Sequence, residues 1–545
     1  MSNRARRAIA VTSLVAVLAT GLGGCKHKGS SAATPSPTPT AALQMLGTGN
    51  PFADIRTAAA HMPDTAAALA SGIAKANAPT ASPVPTPKSA VVSGNPDTAA
   101  AGLRAKLTYL LTEHVYLSGI AIATAYHFGA DSPQFDAAGS SVANNSSDLA
   151  DLIGTVPGAD KDAFLQAWRQ HVTDFVNYAK DAKEGGPAGD AAKKAADNDL
   201  LAYAKAEGEF FSKLTHDALS AGAVQQAFTT HISSFATAID AMAAGHTDEF
   251  KLLKTAAGHM TDGAAALAAG IAKSAGIAGD PASKASTLRS ELTGLLTAHV
   301  YLAGIAVFTA YSTTGATSSP AYQGAADALD TNSQDLAAEI GTVAGPDNQK
   351  KFLSTWRSHI DDFIAYAKAD ATDDAAGKTT ASNNLLAYTG AAGSFFSDIS
   401  GGALNASTVA AALKDHVISL EGAIDSLKTA VADVPATTPP SFGPTTSPSA
   451  SGTPSASPSA SPSPSPTVSA TANAKANPSA SPTPTAGPTS TAGPTPTAKS
   501  KAKKKKATAS ASPKATSDRR DDDSNDRPDD PPDDDRGEGP GGLLP

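Results

Sequence analysis

The chain has 545 residues and a mass of 54.2 kDa, just under 100 Da per residue, so Ala, Gly and Ser outweigh large side chains. With 5% aromatic residues, 17% charged residues and a net charge of −9, it is too polar for a multi-span membrane protein and too long for one compact domain. A single cysteine excludes a disulfide framework and any C-x-x-C zinc or redox site.

At the N-terminus Arg4, Arg6 and Arg7 precede an apolar run from Ala8 to Leu22. That is the pattern of a secretory signal, and the run is too short for a stable membrane span. It closes as Leu22-Gly23-Gly24-Cys25, which resembles a bacterial lipoprotein lipobox: small residues admit the peptidase and the thiol accepts lipid. Residues 1–24 are therefore expected to be removed and Cys25 acylated. Acyl chains contribute about 0.8 kcal/mol per buried methylene and would hold the chain on a membrane face outside the cytoplasm. The other reading is an ordinary signal followed by an incidental buried thiol. Residues 25–50 read as a disordered linker.

The next 380 or so residues contain an internal duplication. LLTEHVYLSGIA from Leu110 recurs as LLTAHVYLAGIA from Leu295, an offset of 185. Within three residues of that register Trp168-Arg169-Gln170-His171 falls on Trp356-Arg357-Ser358-His359, and Phe210-Phe211 on Phe395-Phe396. An upstream piece from Ala58 matches one from Ala256 at an offset of 198, the extra residues falling in the Pro-rich stretch from Ala78 to Pro96. Two modules result, 51–245 and 246–433. Apolar residues return every three or four positions, as at Leu103, Leu107, Leu110, Leu111 and Leu117, and strand signals are missing. The expected fold is all-α, two tandem antiparallel helical bundles.

From about Pro435 the chain is Pro, Ser, Thr and Ala in near-repeats, and residues 434–545 are expected to be disordered. Six lysines between Lys499 and Lys506 and eleven acids between Asp518 and Glu538 make its end a polyampholyte. The basic block could bind an anionic cell-envelope polymer; a solvated spacer is the other reading. Setting both ends aside leaves 25 bases and 40 acids, so the middle is near −15 and repels nucleic acid.

Three histidines per module sit inside an apolar stripe. His114, His171 and His231 do so in the first copy, and His299, His359 and His416 repeat them in the second. On a further helix the inward place is Asn145 or Asn332, with Asp148 or Asp335 one turn on. Three imidazoles and an amide oxygen converging across a bundle would suit zinc or copper, with the aspartates orienting an imidazole from behind. The other reading is that each imidazole is a core group with its two hydrogen-bond partners satisfied. His61-Met62 and His259-Met260 pair an imidazole with a thioether, but adjacent helical residues diverge and core methionine is the simpler account. Glu207 becomes Ala392 in the second copy, and His27, His127, His216 and His246 have no counterpart and read as surface residues.

The strings LTEHVYLSGIA, NSSDLA and WRQH, with HI at the last helix, resemble a family of bacterial exported helical-repeat proteins, some labelled copper amine oxidase or copper amine oxidase-like. The resemblance covers the middle 380 or so residues. It marks His114, Asn145, Asp148, His171 and His231, then His299, Asn332, Asp335, His359 and His416. The enzyme label also implies a T-x-x-N-Y-[DE] tyrosine and a β-sandwich; Asn177-Tyr178 is followed by Ala179, and the second copy reads Ala365-Tyr366. No G-x-S-x-G elbow, phosphate loop, dinucleotide fingerprint or H-E-x-x-H occurs. The expected role is a membrane-anchored binding or structural module rather than an enzyme. A copper- or haem-dependent redox protein is the alternative, the haem being noncovalent for want of C-x-x-C-H. Metabolic labelling should place lipid on the wild-type chain and none on Cys25→Ala, which should leave the membrane fraction; an unlabelled wild type would refute the anchor.

Overall fold

Short polar side chains start the helices that the apolar periodicity outlines. The computed structural model describes residues 48–76, 92–313 and 316–432; the signal segment, Cys25, the linker to residue 47 and the tail 434–545 lie outside the described residues. In the first copy the helices are α1 (Pro51–Ala59), α2 (Met62–Ala76), α3 (Ala99–Phe128), α4 (Pro133–Gly154), α5 (Lys161–Glu184), α6 (Gly186–Leu214) and α7 (Ala221–Ala244). In the second they are α8 (Glu249–Ala275), α9 (Lys284–Ser312), α10 (Pro320–Ala344), α11 (Pro346–Ala371), α12 (Ala375–Ile399) and α13 (Ala406–Ala432). No strand occurs among the described residues, and the fold is all-α. Thr98, Ser132, Asp160, Ser220, Ser283 and Ser319 each accept a backbone N–H of the first turn and so satisfy one of its orphan donors.

The two copies begin differently. The second opens with one unbroken helix, α8, whereas the first is interrupted at Ala60-His61. Pro63, which stands where α8 has Thr261, is the cause: it lacks the N–H to bond back along a continuous helix, and its ring crowds the preceding turn.

Helices α3 to α7 pack on their sequence neighbours, and so do α9 to α13. The opening helices change sides. Helix α8 lies against α3 and α7 of the first copy, while α1 and α2 lie against α9 and α13 of the second. Helices α3 and α9 meet along the centre, where the rings of Tyr116 and Tyr301 stack 5.7 Å apart at an interplanar angle of 4°. Apolar burial runs continuously through both halves.

Reciprocal contacts fix this arrangement. Ala100 N donates to Ala278 O at 3.0 Å and Ala285 N to Ser93 O at 2.9 Å, each the other's counterpart at the 185 offset. Arg104 Nη1 likewise reaches Pro281 O at 2.9 Å and Arg289 Nη1 reaches Pro96 O at 2.7 Å. Glycines admit the exchanged helices. A Cβ on Gly119 of α3 would stand 2.6 Å from Leu253 of α8, and one on Gly304 of α9 would stand 2.8 Å from Ile55 of α1. Among the described residues one helix, α9, is long and apolar enough to cross a membrane, but 89% of its most apolar window is buried inside the protein.

A chain of residues 48–245 produced alone would lack the α8 that covers α3 and α7, and its own α1 and α2 would lack a seat. Light scattering should find self-associated or aggregated species. A monomer with the full chain's proportion of helix and a cooperative melt would show the exchange to be dispensable.

Candidate functional site

Each apolar stripe delivers one imidazole to a common layer. His114 on α3 and His171 on α5 bring their Nε2 atoms to 3.3 Å, with ring centroids 5.3 Å apart. His231 on α7 lies 6.1 Å from His114, centroid to centroid. The second copy repeats this: 3.3 Å between His299 and His359 Nε2, centroids 5.3 Å apart, and 6.2 Å from His299 to His416. The three rings therefore meet at one height in each half. All six are at most 5% exposed.

Aromatic rings wall the layer. Trp168, one turn before His171, approaches both imidazoles at 4.6 and 4.8 Å, and Tyr203 of α6 stacks on His171 at 4.5 Å. Trp356 and Tyr388 do the same in the second half.

Burial sets the protonation. It pushes His114 down to about 3, with the neighbouring His231 adding to the effect, and His231 down to about 4, with His259 adding. His171 falls well below its ordinary value, through burial first and then His114 and His231. In the second half burial and His416 push His359 down to about 3, burial and His61 push His416 down to about 4, and His299 falls well below its ordinary value through burial. At neutral pH all six rings are uncharged, the form that binds a metal.

The cluster leaves polar atoms unmatched. His114 Nδ1, Trp168 Nε1, Asn145 Oδ1 and both nitrogens of His231 are buried without a partner, as are His299 Nδ1, Trp356 Nε1 and Asn332 Oδ1. Each such group ordinarily costs about 1–3 kcal/mol. His171 and His114, and likewise His359 and His299, meet at hydrogen-bond distance, so the core reading of these histidines is met in part.

One sequence expectation is corrected. Asp148 and Asp335 do not back an imidazole: Asp148 pairs with Arg56 of α1, and Asp335 with Lys254 of α8 at 2.5 Å. Both carboxylates lie on the half-exposed outer side, where a cation from an opening helix is nearer than any buried ring. Asn145 is buried beside the layer, but its amide nitrogen is engaged, donating to Leu110 O at 2.9 Å and Glu113 Oε2 at 2.8 Å. Asn332 donates to Leu295 O at 3.1 Å. Among the described residues no three His, Cys, Asp or Glu side chains converge closely enough, as they stand, to hold a metal ion.

Helix exchange turns a further histidine of the repeat, His259 or His61, toward the opposite copy. His259 of α8 acts electrostatically on His231 of the first half, and His61, just before α2, acts on His416 of the second. Both are half-buried, so each core layer is linked to a more exposed imidazole. Met62 and Met260 are core residues. His127, His216 and His246 are exposed, as expected. Glu207 is buried with Oε2 unpartnered, and burial pushes it up to about 8.

Sequence reasoning also passed over Glu113. It is fully buried next to His114 and accepts from Tyr109, Tyr301, Asn145 and Arg56. The available signal was an acid on an apolar stripe with alanine in the other copy. Comparison with protein-family models, with curated proteins and with solved structures finds no match.

In the unfolded chain these histidines take up protons below about pH 6.5, whereas in the fold burial holds His114, His231, His359 and His416 neutral to about 3–4 and His171 and His299 well below their ordinary value. The unfolded state therefore binds more protons across that window, and each histidine removes up to about 1.4 kcal/mol of stability per pH unit as pH falls. Buried acids such as Glu207 act in the opposite sense, so the clean measurement is a difference. Between pH 6 and 4.5 the His171→Gln, His359→Gln double variant should lose stability with a slope about two protons shallower than the wild type in urea titrations. Equal slopes would mean the two rings are not held neutral.

Proposed function

We propose that this protein is a binding protein held outside the cytoplasm by lipid on Cys25, and that each half takes up one zinc or copper ion at its histidine layer. The observation that carries the reading is the 3.3 Å separation of two neutral Nε2 atoms, repeated in both halves. Two imidazoles bound to one tetrahedral ion at about 2.05 Å stand roughly 3.3 Å apart. The same separation is long for a hydrogen bond. His114 and His171 would supply the first two nitrogens. His231, whose nitrogens both lack partners, would become the third ligand once its side chain turns. Cu(I), Cu(II) and Zn(II) all accept imidazole, and the site offers no thiolate to favour one. The half-buried His259 and His61 would hand the ion inward from the surface. The anchor rests on the lipobox-like string ending at Cys25, and the acidic middle would raise cation concentration near the protein.

The full chain in detergent, stripped with chelator and titrated with Zn(II) and with Cu(II), should bind close to two equivalents of at least one ion. The His171→Gln, His359→Gln variant, which keeps a buried hydrogen-bonding side chain, should bind neither ion at these sites. Bound copper would be visible in its absorption and spin-resonance spectra, which would also report any redox change. A wild type that takes up no ion and melts at the same temperature with and without metal would make the layer a purely structural element. His171→Ala and His359→Ala would then lose only stability, by about 2–5 kcal/mol as core deletions do.

A further inference from the structure

In the second half a narrow cavity follows α9 from the histidine layer to the surface. It lies between α9, α10, α11 and α13 and has a volume of about 80 Å³. Its lining on α9 extends from His299 to Tyr311, about 18 Å of helix, so the space is long and slim. His299, Leu420 and Ile424, each 1% exposed, close the inner end. Ala316, Lys368 and Ala371 are exposed and mark the mouth.

The wall is almost wholly carbon. His299 gives its Nε2 to His359, and Tyr311 donates its hydroxyl to Ala367 O at 2.9 Å. Water needs two to four polar partners, which this interior does not offer, whereas an apolar chain loses nothing there. Among the described lining residues Lys368 is the one charged at neutral pH, and none of the described carboxylates pairs with it.

The other copy differs at both ends of this path. Near the equivalent mouth Lys183 lays its ammonium 5.1 Å over the ring of Tyr126 and donates to Ala243 O at 3.2 Å. The duplication places Ala371 there, which has no chain to lay over Tyr311. At the inner end the fully buried Phe235 stands where the second half has Leu420.

We propose that this cavity binds a short-chain carboxylate, its alkyl chain lying along α9 and its head at the mouth beside Lys368. A slim chain fits the space better than a ring, since the apolar cavity known to take up benzene is about 150 Å³, roughly twice this volume. The charged head stays out of the carbon-lined interior, and Lys368 at the opening favours an anion over a cation. This reading does not depend on the metal proposal.

The test is calorimetric titration of the full chain in detergent at pH 7 with acetate, butanoate and hexanoate, with hexylamine as the cationic control and protein-free micelles as the blank. Affinity should rise about 4-fold for each methylene that enters the cavity, so hexanoate should bind at one site per chain and more tightly than butanoate or acetate. Leu420→Phe, which puts the first half's residue at the inner end, should weaken hexanoate about 10-fold or more with helix content unchanged. Lys368→Gln should weaken it about 3-fold. Failure of hexanoate to bind, equal affinities for butanoate and hexanoate, hexylamine binding as tightly as hexanoate, or an undiminished affinity in either variant would each overturn the proposal. If Leu420→Phe does not fold, by its circular dichroism, Ala303→Val at the same end of the cavity takes its place.

Discussion

The contact of α3 with α9, and the seating of each opening helix on the opposite copy, is the constraint from which the rest of this structure follows. Alanine-rich helices bury little area per residue, so they gain stability by approaching closely over long lengths rather than by inserting large rings. Glycines at 119 and 304 permit that approach, and a side chain at either would collide with the exchanged helix. Once α8 lies on α3 and α7, it covers the first histidine layer and brings His259 toward it; α1 and α2 do the same for the second layer with His61. Neither layer is completed by its own repeat.

A core that holds six neutral imidazoles, two indole N–H groups and two amide oxygens with so few partners gives up stability that the same volume of leucine would not. The arrangement is nonetheless reproduced to a tenth of an ångström in its shortest contact across two halves whose surrounding residues have diverged. Glu113 shows that the same fold can fully satisfy a buried charge, with four donors around one carboxylate and Arg56 compensating it. Unpartnered buried atoms also occur away from the histidine layer, at Arg104, Ser118, Glu207 and Thr297, so the layer shares this feature with other parts of the core.

Duplication has given the chain two versions of one interface. In the first, Glu113 and Tyr109 belong to a buried hydrogen-bonded network beside the central helices; in the second, Ala298 and Gly294 stand in their places, and both halves keep a cavity on that side. The substitutions are few. They remove a buried, hydrogen-bonded carboxylate, and the Tyr116 hydroxyl, counterpart of the Tyr301 hydroxyl that bonds Glu113, is left unpartnered.

Helical periodicity, the capping residues, the duplication and the inward direction of His114, His171, His231 and their counterparts were all legible in the amino-acid sequence, because each depends on neighbours three, four or a fixed number of residues away. The common height of the rings was not legible, since the axial offset between helices is set by side chains packing across the bundle. The partners of Asp148 and Asp335 were hidden for a related reason. Arg56 and Lys254 reach them from helices distant in sequence, and the stripe pattern places a residue on a face without saying which cation faces it. The chain alone thus determined that these are helices and which of their faces turn inward, since local backbone hydrogen bonding and side-chain period decide that. Only the tertiary structure decided that the opening helices trade places, because the choice lies in contacts between residues far apart in the chain, such as Ala100 with Ala278 and Ala285 with Ser93.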